Sequence, residues 1–290
     1  MPKSPLIYER ILKLQKEYLH LKVDKNSLIQ LLNEAEVSEQ VYNSNAIENS
    51  TLTLEETDKI LRQINLDRFI SERELFEAKN LARVVEYIHK TSISDELDLD
   101  RILLLHKMLI SNIRDDIAGR FRELTEWVRV GSHVAADPAH VREMLQESLI
   151  DYQCSSQEHI VKKIAKFHLQ FENIHPFVDG NGRIGRVLNN YLLLRAGHVP
   201  INIKFMDRSV YYDAFEEFDS SGKTKIMEDV VGKALSSSYH KRIAYLTGKR
   251  IMSLADYSKD SGESQSNLIN KANRQTIDAF MEKGVWKIGV

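Results

Sequence analysis

His175-Pro176-Phe177-Val178-Asp179-Gly180-Asn181-Gly182-Arg183-Ile184-Gly185-Arg186 is the stretch on which the reading of this 290-residue chain turns. Just upstream, Ile164, Phe167, Phe171 and Ile174 mark the buried face of a helix, with His168 and His175 two turns apart along one side. Pro176 biases the residue before it away from the α conformation, so that helix is expected to end near His175. Gly180 and Gly182 then indicate a tight turn in which backbone approaches something closely. A second amphipathic helix follows. Ile184, Val187, Leu188, Tyr191 and Leu192 form its apolar stripe, and Arg183, Arg186 and Asn190 share the opposite face.

Several pieces of chemistry converge on this stretch. Backbone N–H groups at a helix N-terminus, bared by glycines, make an anion nest. Two arginines one turn apart add guanidinium forks aimed at the same place. Asp179 would be an odd neighbour for an anion unless Mg²⁺ sits between its carboxylate and phosphates. His175, with an ordinary pKa near ~6.5, suits a general base beside a polyphosphate. The set describes a nucleotide-dependent transferase. Residues 180–185 also fit G-x-G-x-x-G, but they follow His-Pro-Phe rather than a strand, which argues against a dinucleotide fold. No G-x-x-x-x-G-K-[ST] or H-E-x-x-H pattern occurs, so neither a P-loop nor a zinc enzyme is expected. The bland alternative is a glycine turn between two core helices with surface arginines.

Outward from the motif the chain reads as mostly α. Ile7, Ile11, Leu14, Tyr18 and Leu21 follow helical spacing, as do Leu75, Ala78, Leu81, Ala82, Val85 and Ile88, and another helix runs near Arg101 to Ile110. Residues 44–50 read as one short helix stopped by Asn49-Ser50, and Thr53-Leu54-Glu55-Glu56 as a fresh helix start. Thr125 to Gly131 alternates polar and apolar residues, with Gly131-Ser132 as a turn before Val134. That hairpin is the one convincing β signal. Asp137-Pro138 opens a helix containing Val141 and Leu145, and Ser258 to Ser264 reads as a loop.

Apolar residues make up 42% and charged residues 28%, a globular mix that excludes a fibrous or disordered chain. A formal charge of −2 excludes a uniformly basic nucleic-acid coat, although residues 241–290 hold nine basic against five acidic side chains. The single cysteine, Cys154, cannot form an internal disulfide and fits a reducing cytoplasm. No run approaches ~18 apolar residues, and Met1 to Gln15 lacks an apolar signal core, so neither a membrane span nor a leader is expected. Only 12 Gly and five Pro punctuate the chain, which favours long helices.

The motif meets every fixed position of H-x-F-x-[DE]-G-N-G-R-x-x-R, and the chain thereby resembles the Fic family of protein adenylyltransferases. Gly119-Arg120-Phe121-Arg122, Val128-Arg129-Val130-Gly131, Leu103 to His106, His168 and Tyr211-Tyr212 extend the likeness over roughly residues 40–235. The resemblance implies a helical bundle with one β-hairpin flap. It divides the chain into an N-terminal helical region (1–98), a catalytic core (99–240) and a small winged-helix-like unit (250–290). It also implies transfer of AMP from ATP to a Ser, Thr or Tyr hydroxyl of a target protein. His175 would take the hydroxyl proton and Asp179 would hold Mg²⁺. Backbone at Gly180, Asn181 and Gly182 would cradle the phosphates, with the Asn181 side chain helping, and Ile184 and Gly185 belong to the same nucleotide-binding turn. Arg183 and Arg186 would fix the outer phosphates, and Phe177 would anchor the loop. Tyr211 and Tyr212 resemble the pair beside the adenine, although Asp219 stands where the family often has Asn. Gly182, rather than Lys, separates the chain from the family's kinase-like branch. The flap, Val128, Arg129, Val130, Gly131, Ser132, His133 and Val134, would hold the target by strand addition.

Ser44-Asn45-Ala46-Ile47-Glu48-Asn49 matches the family's inhibitory pattern [ST]-x-x-x-E-[GN]. The resemblance implies that Glu48 occupies Arg186 in place of a γ-phosphate while Ser44 steadies it. Self-modification and a homodimer are compatible with this scheme, and no membrane partner is expected. Residues 251–290 resemble an excisionase-like helix-turn-helix with a wing. Lys271 and Arg274 there would be suited to phosphate contacts with DNA, and a packing or dimerisation unit is the alternative. Competing functions are removal of AMP, transfer from another nucleotide, and a DNA-binding regulator with a nucleotide-sensing core.

Overall fold

The computed structural model describes residues 6–66, 68–130 and 133–290. Twelve α-helices dominate the described residues, and the chain divides into two compact units. One unit comprises Val37–His198 and Asn202–Glu228. The other comprises the residues up to Glu36, Val199–Ile201 and Asp229–Val290. The segment from Val37 to residue 98 falls in the same unit as the motif.

In the motif-bearing unit, α3 (Leu54–Leu61) packs on α4 (Glu72–Thr91), and α4 packs on both α5 (Leu99–Ile110) and α8 (Asn181–Arg195). On the other side, α6 (Val141–Cys154) lies on α7 (Ile160–Ile174), which pairs with α8 and touches α9 (Arg208–Ser221). Local signals set the boundaries. Thr53 caps α3 through a complete capping box with Glu56, as the Thr-Leu-Glu-Glu composition suggests. Ser71 and Asp98 cap α4 and α5 in the same way.

Three expectations need correction here. Residues 44–50 are not a separate short helix: Ser44 to Ile47 form the last turn of the 22-residue α2 (Asn26–Ile47), and Asn49 at φ 69° ends it in the left-handed conformation. The polar face assigned to α8 does not meet solvent, because Arg183, Arg186 and Asn190 are buried along with the apolar stripe. Neighbouring helices cover α8 on every side, so its polar residues face partners rather than water. The flap strands β1 (Arg129–Val130) and β2 (His133–Val134) are two residues each, with Ala135 N–H donating to the Val128 carbonyl beyond them. Gly131 and Ser132 lie outside the described residues.

The other unit holds α1 (Leu6–Leu21) and the C-terminal segment after α10 (Lys225–Leu246). Here the hairpin ceases to be the one β element. Strands β3 (Ile251–Ser253), β5 (Val285–Gly289) and β4 (Ala279–Glu282) form an antiparallel sheet in that order. Helices α11 (Leu254–Ser261) and α12 (Gln265–Asn273) pack on it around Leu254, Leu268, Ala272, Ala279 and Ile288. The expected loop from Ser258 is helical to Ser261, and Gly262 at φ 73° ends it. Arg242, 1% exposed, grips Glu36 with Nη2 2.6 Å from Oε2, while Lys241 bridges Glu36 at 3.1 Å and Glu282 at 2.8 Å. Burial pushes the Glu36 carboxyl up, but Arg242 and Lys241 outweigh it and hold the group below its ordinary range.

Two stability measurements follow from this packing. Arg242→Ala leaves the Glu36 carboxylate with Lys241 as its remaining cation and is expected to cost up to about 3–5 kcal/mol, read from the urea midpoint. Gly185 lets α7 and α8 approach closely: a Cβ there would lie 2.4 Å from Glu172 Oε1 and 3.0 Å from the His168 ring. Gly185→Ala is therefore expected to cost about 1–3 kcal/mol by the same measurement, and an unchanged midpoint would contradict the close approach.

Candidate active site

The loop from α7 to α8 is fixed by backbone conformation and buried hydrogen bonds. His175 ends α7 in the left-handed region at φ 51°, and Gly180 starts α8 at φ 85°. His175 Nδ1 lies 3.3 Å from the Glu172 carbonyl. A carbonyl only accepts, so Nδ1 carries the proton and Nε2 is the basic nitrogen. The Asn181 side chain closes the loop on itself, accepting from Phe177 N–H at 2.9 Å and donating to the Phe177 carbonyl at 2.8 Å. Its amide therefore shapes the turn rather than pointing outward. Phe177 is fully buried and stacks on His106, with ring centres 3.7 Å apart.

Two residues outside the motif hold this loop. His106 accepts from Gly119 N–H through Nδ1 at 3.0 Å, so its Nε2 donates to the Asp179 carbonyl at 3.0 Å. Burial, opposed by the Asp179 carbonyl, lowers its pKa to about 4, so the neutral ring keeps that tautomer. Arg122, 3% exposed, donates to the carbonyls of His175 at 2.7 Å, Ile174 at 3.2 Å, Glu126 at 2.9 Å and Ala136 at 2.7 Å. One guanidinium thus ties the end of α7 to the segments on both sides of the flap.

The motif's two arginines diverge. Arg186 donates through Nε to Ser44 Oγ at 3.0 Å, and through Nη2 to the Ser44 carbonyl at 2.7 Å and to Glu48 Oε1 at 2.9 Å. Ser44 therefore holds the arginine directly. Arg183 instead faces Asp179 Oδ1 at 3.1 Å, and its Nη1 forms an ion pair with Glu77 Oε1 at 3.0 Å without hydrogen-bond geometry. Arg73, from the first turn of α4, reaches Asp179 Oδ2 at 2.6 Å and Glu77 at 3.0 Å. Burial raises the Asp179 pKa, but Arg183 and Arg73 outweigh it and hold the carboxylate below its usual range.

A cavity of about 660 Å³, within the range of small-molecule sites, opens beside the loop. Its lining includes Glu48, Glu172, His175, Gly182, Tyr211 and Tyr212, and Arg129 and Val130 of the flap. At Gly182 the backbone comes close to Glu48: a Cβ would sit 2.2 Å from Glu48 Oε1, so any side chain there would push that carboxylate aside. The tyrosines differ in kind. Tyr211 is buried, its hydroxyl 2.8 Å from His168 Nε2 and 3.3 Å from Arg186 Nη1, whereas Tyr212 is 39% exposed and donates to the Ile47 carbonyl at 3.3 Å. Burial lowers the His168 pKa to about 3, so it meets the Tyr211 hydroxyl as a neutral ring. Asp219 also lines the cavity and accepts from Asn173 at 2.9 Å.

Glu172 was not anticipated. Burial first, and Glu48 second, raise its pKa to about 8 against the pull of Arg186, so it is a neutral acid at pH 7. A signal was present: Glu172 shares the 168–175 face of α7 with the two histidines. Arg73 and Glu77 carried none, since helix periodicity places them among ordinary polar surface positions. Among the described residues no cluster of three His, Cys, Asp or Glu could hold a metal by protein ligands alone. Asp179 fits a cation of the Mg²⁺ type, which takes one carboxylate and completes its shell with phosphates and water. In the C-terminal segment Lys271 pairs with Glu263 at 2.6 Å, and Arg274 is exposed.

Residues 96–193 match the family model described as Fic/DOC family. Over 194 residues the chain is 33% identical to a protein adenylyltransferase Fic of Drosophila willistoni, a match covering 65% of this chain and 38% of that relative. The chain therefore spans well under half of that relative's length. Its fold is similar to that of a Fic domain-containing signalling protein from Bacteroides thetaiotaomicron, with TM-score 0.75, 22% identity, and 83% of this chain and 98% of that one covered. A Fic family protein from Desulfovibrio desulfuricans is similar over 99% of this chain and 97% of its own, with TM-score 0.67 and 20% identity. Among the described residues no helix is long and apolar enough to cross a membrane. Residues 96–193 are therefore a Fic domain, of the Fic/DOC family.

Proposed function

We propose that this protein transfers AMP from ATP to a hydroxyl group of a target protein. The observation that carries the reading is the placing of His175 on the cavity wall with Nδ1 engaged by the Glu172 carbonyl, which makes Nε2 the base. The target oxygen attacks the α-phosphorus, the bond from that phosphorus to the bridging oxygen breaks, and pyrophosphate leaves. The hydroxyl proton passes to His175 Nε2. The N-terminus of α8, which has no side-chain cap, supports anion binding at Asn181 and Gly182. Asp179 would hold Mg²⁺, which neutralises phosphate charge when bound. The exposed edge of the flap, with Val134 62% exposed, supports strand addition by the target. The single, exposed cysteine supports a reducing, cytoplasmic setting.

The same reading makes Glu48 an inhibitor, because its carboxylate holds the Arg186 fork that a γ-phosphate would need. A charge-assisted hydrogen bond of about 1.5–3 kcal/mol suppresses productive binding roughly 10- to 150-fold. With labelled ATP and Mg²⁺, Glu48→Gly is expected to raise self-modification and target transfer at least ~10-fold, whereas adding Arg186→Ala removes the gain. A change within about twofold would make Glu48 a mere helix charge. In the Glu48→Gly background, His175→Ala is expected to abolish transfer while calorimetry still detects ATP binding. Parallel reactions with labelled CTP, GTP and UTP test whether adenine is preferred.

A further inference from the structure

We propose that Arg73 is a built-in counter-cation for Asp179, which a divalent metal must displace, so that an arginine outside the motif sets the affinity of the metal site. This rests on the reading of Asp179 as the metal carboxylate.

Both oxygens of Asp179 already have guanidinium partners, Arg183 on Oδ1 at 3.1 Å and Arg73 on Oδ2 at 2.6 Å. The partners are unequal. Arg183 has a side chain 4% exposed and a second carboxylate, Glu77, at 3.0 Å, so removing it would strand a buried charge. Arg73 has a side chain 53% exposed and sits on the first turn of α4. Its flexible stem can turn to water, and its other contact, with Glu77 Oε1 at 3.0 Å, need not break when Asp179 is given up. An exposed arginine–carboxylate pair is worth little on balance, which makes Arg73 the partner that yields. Oδ2 is accordingly the oxygen offered to an incoming cation, and Oδ1 stays with Arg183. Glu77 holds both guanidinium groups and stays out of the metal's shell.

The test uses the full chain with Mn²⁺ and a non-hydrolysable α,β-methylene ATP analogue, free Mn²⁺ being counted by electron paramagnetic resonance. Arg73→Ala is expected to bind Mn²⁺ about 2- to 5-fold more tightly than the parent, the range a surface ion pair commands. Arg73→Lys, which keeps a cation, is expected to stay near the parent. Asp179→Asn is expected to lose the site. A second readout separates competition from damage: without metal, Arg73→Ala is expected to melt slightly below the parent, and its gain on adding Mn²⁺ and analogue to exceed the parent's gain. Equal or weaker Mn²⁺ binding by Arg73→Ala, with Asp179→Asn inactive in binding, would overturn the competition alone. Unchanged binding by Asp179→Asn would overturn both the competition and the metal reading beneath it.

Discussion

The site is organised by one costly element, the guanidinium of Arg186, which is 8% exposed. Burial pushes its pKa down, yet Tyr211 and Glu48 outweigh the effect and keep it charged. A buried cation must be bonded on every side or the fold loses several kcal/mol. Ser44 supplies a hydroxyl and a carbonyl, Tyr211 a hydroxyl, and Glu48 a carboxylate. The carboxylate that hydrogen-bonds Arg186 is that of Glu48. The end of α2 is therefore brought to α8 by the need to compensate this charge.

The loop between α7 and α8 presents a different problem. A histidine at φ 51° is uncommon, and such a conformation persists only where the surroundings over-determine it. Arg122 binds the His175 carbonyl from outside, while its own N–H donates to the Pro176 carbonyl at 3.0 Å. Asn181 locks the Phe177 backbone from inside, and His106 fixes Asp179 through its carbonyl rather than its carboxylate. His175 is thus held by groups that leave the Asp179 carboxylate oxygens to Arg183 and Arg73.

What could be read from the sequence follows the range of the interactions involved. The end of α7 at His175, the start of α8 after Gly180 and the Thr53 capping box depend on neighbours within four residues, and all are legible. The pairing of Glu48 with Arg186 spans 138 residues, and only the family pattern pointed to it. Arg73 and Glu77 could not be found, because polar residues on an amphipathic helix look alike until another element is packed on them. The polar side of α8 misled for the same reason: burial of Arg183 and Asn190 is decided by α4 and the rest of the bundle, not by α8. Strand β3 is three residues long and owes its conformation to pairing with β5, so no local alternation marks it.

The spacing of Arg183 and Arg186 explains how one turn of helix serves two charges. Residues three apart on a helix point about 60° from each other, enough for each guanidinium to find its own carboxylate. Arg186 turns to the end of α2 and Arg183 to the start of α4. On the proposed reading the protein carries substitutes for both kinds of ligand charge: Glu48 bonds Arg186, which would meet a phosphate, and Arg73 bonds Asp179, which would meet a metal. Binding a metal–nucleotide pair then exchanges ion pairs rather than creating them, which keeps the buried charges compensated in both states. It also makes the two substitutes unequal in consequence. Glu48 bonds a buried arginine, and its loss leaves that charge with neutral partners only. Arg73 is half in water and its loss leaves Asp179 still joined to Arg183. The anion side of the site is on this account the harder one to open, and control of the nucleotide lies with the end of α2 more than with the metal carboxylate.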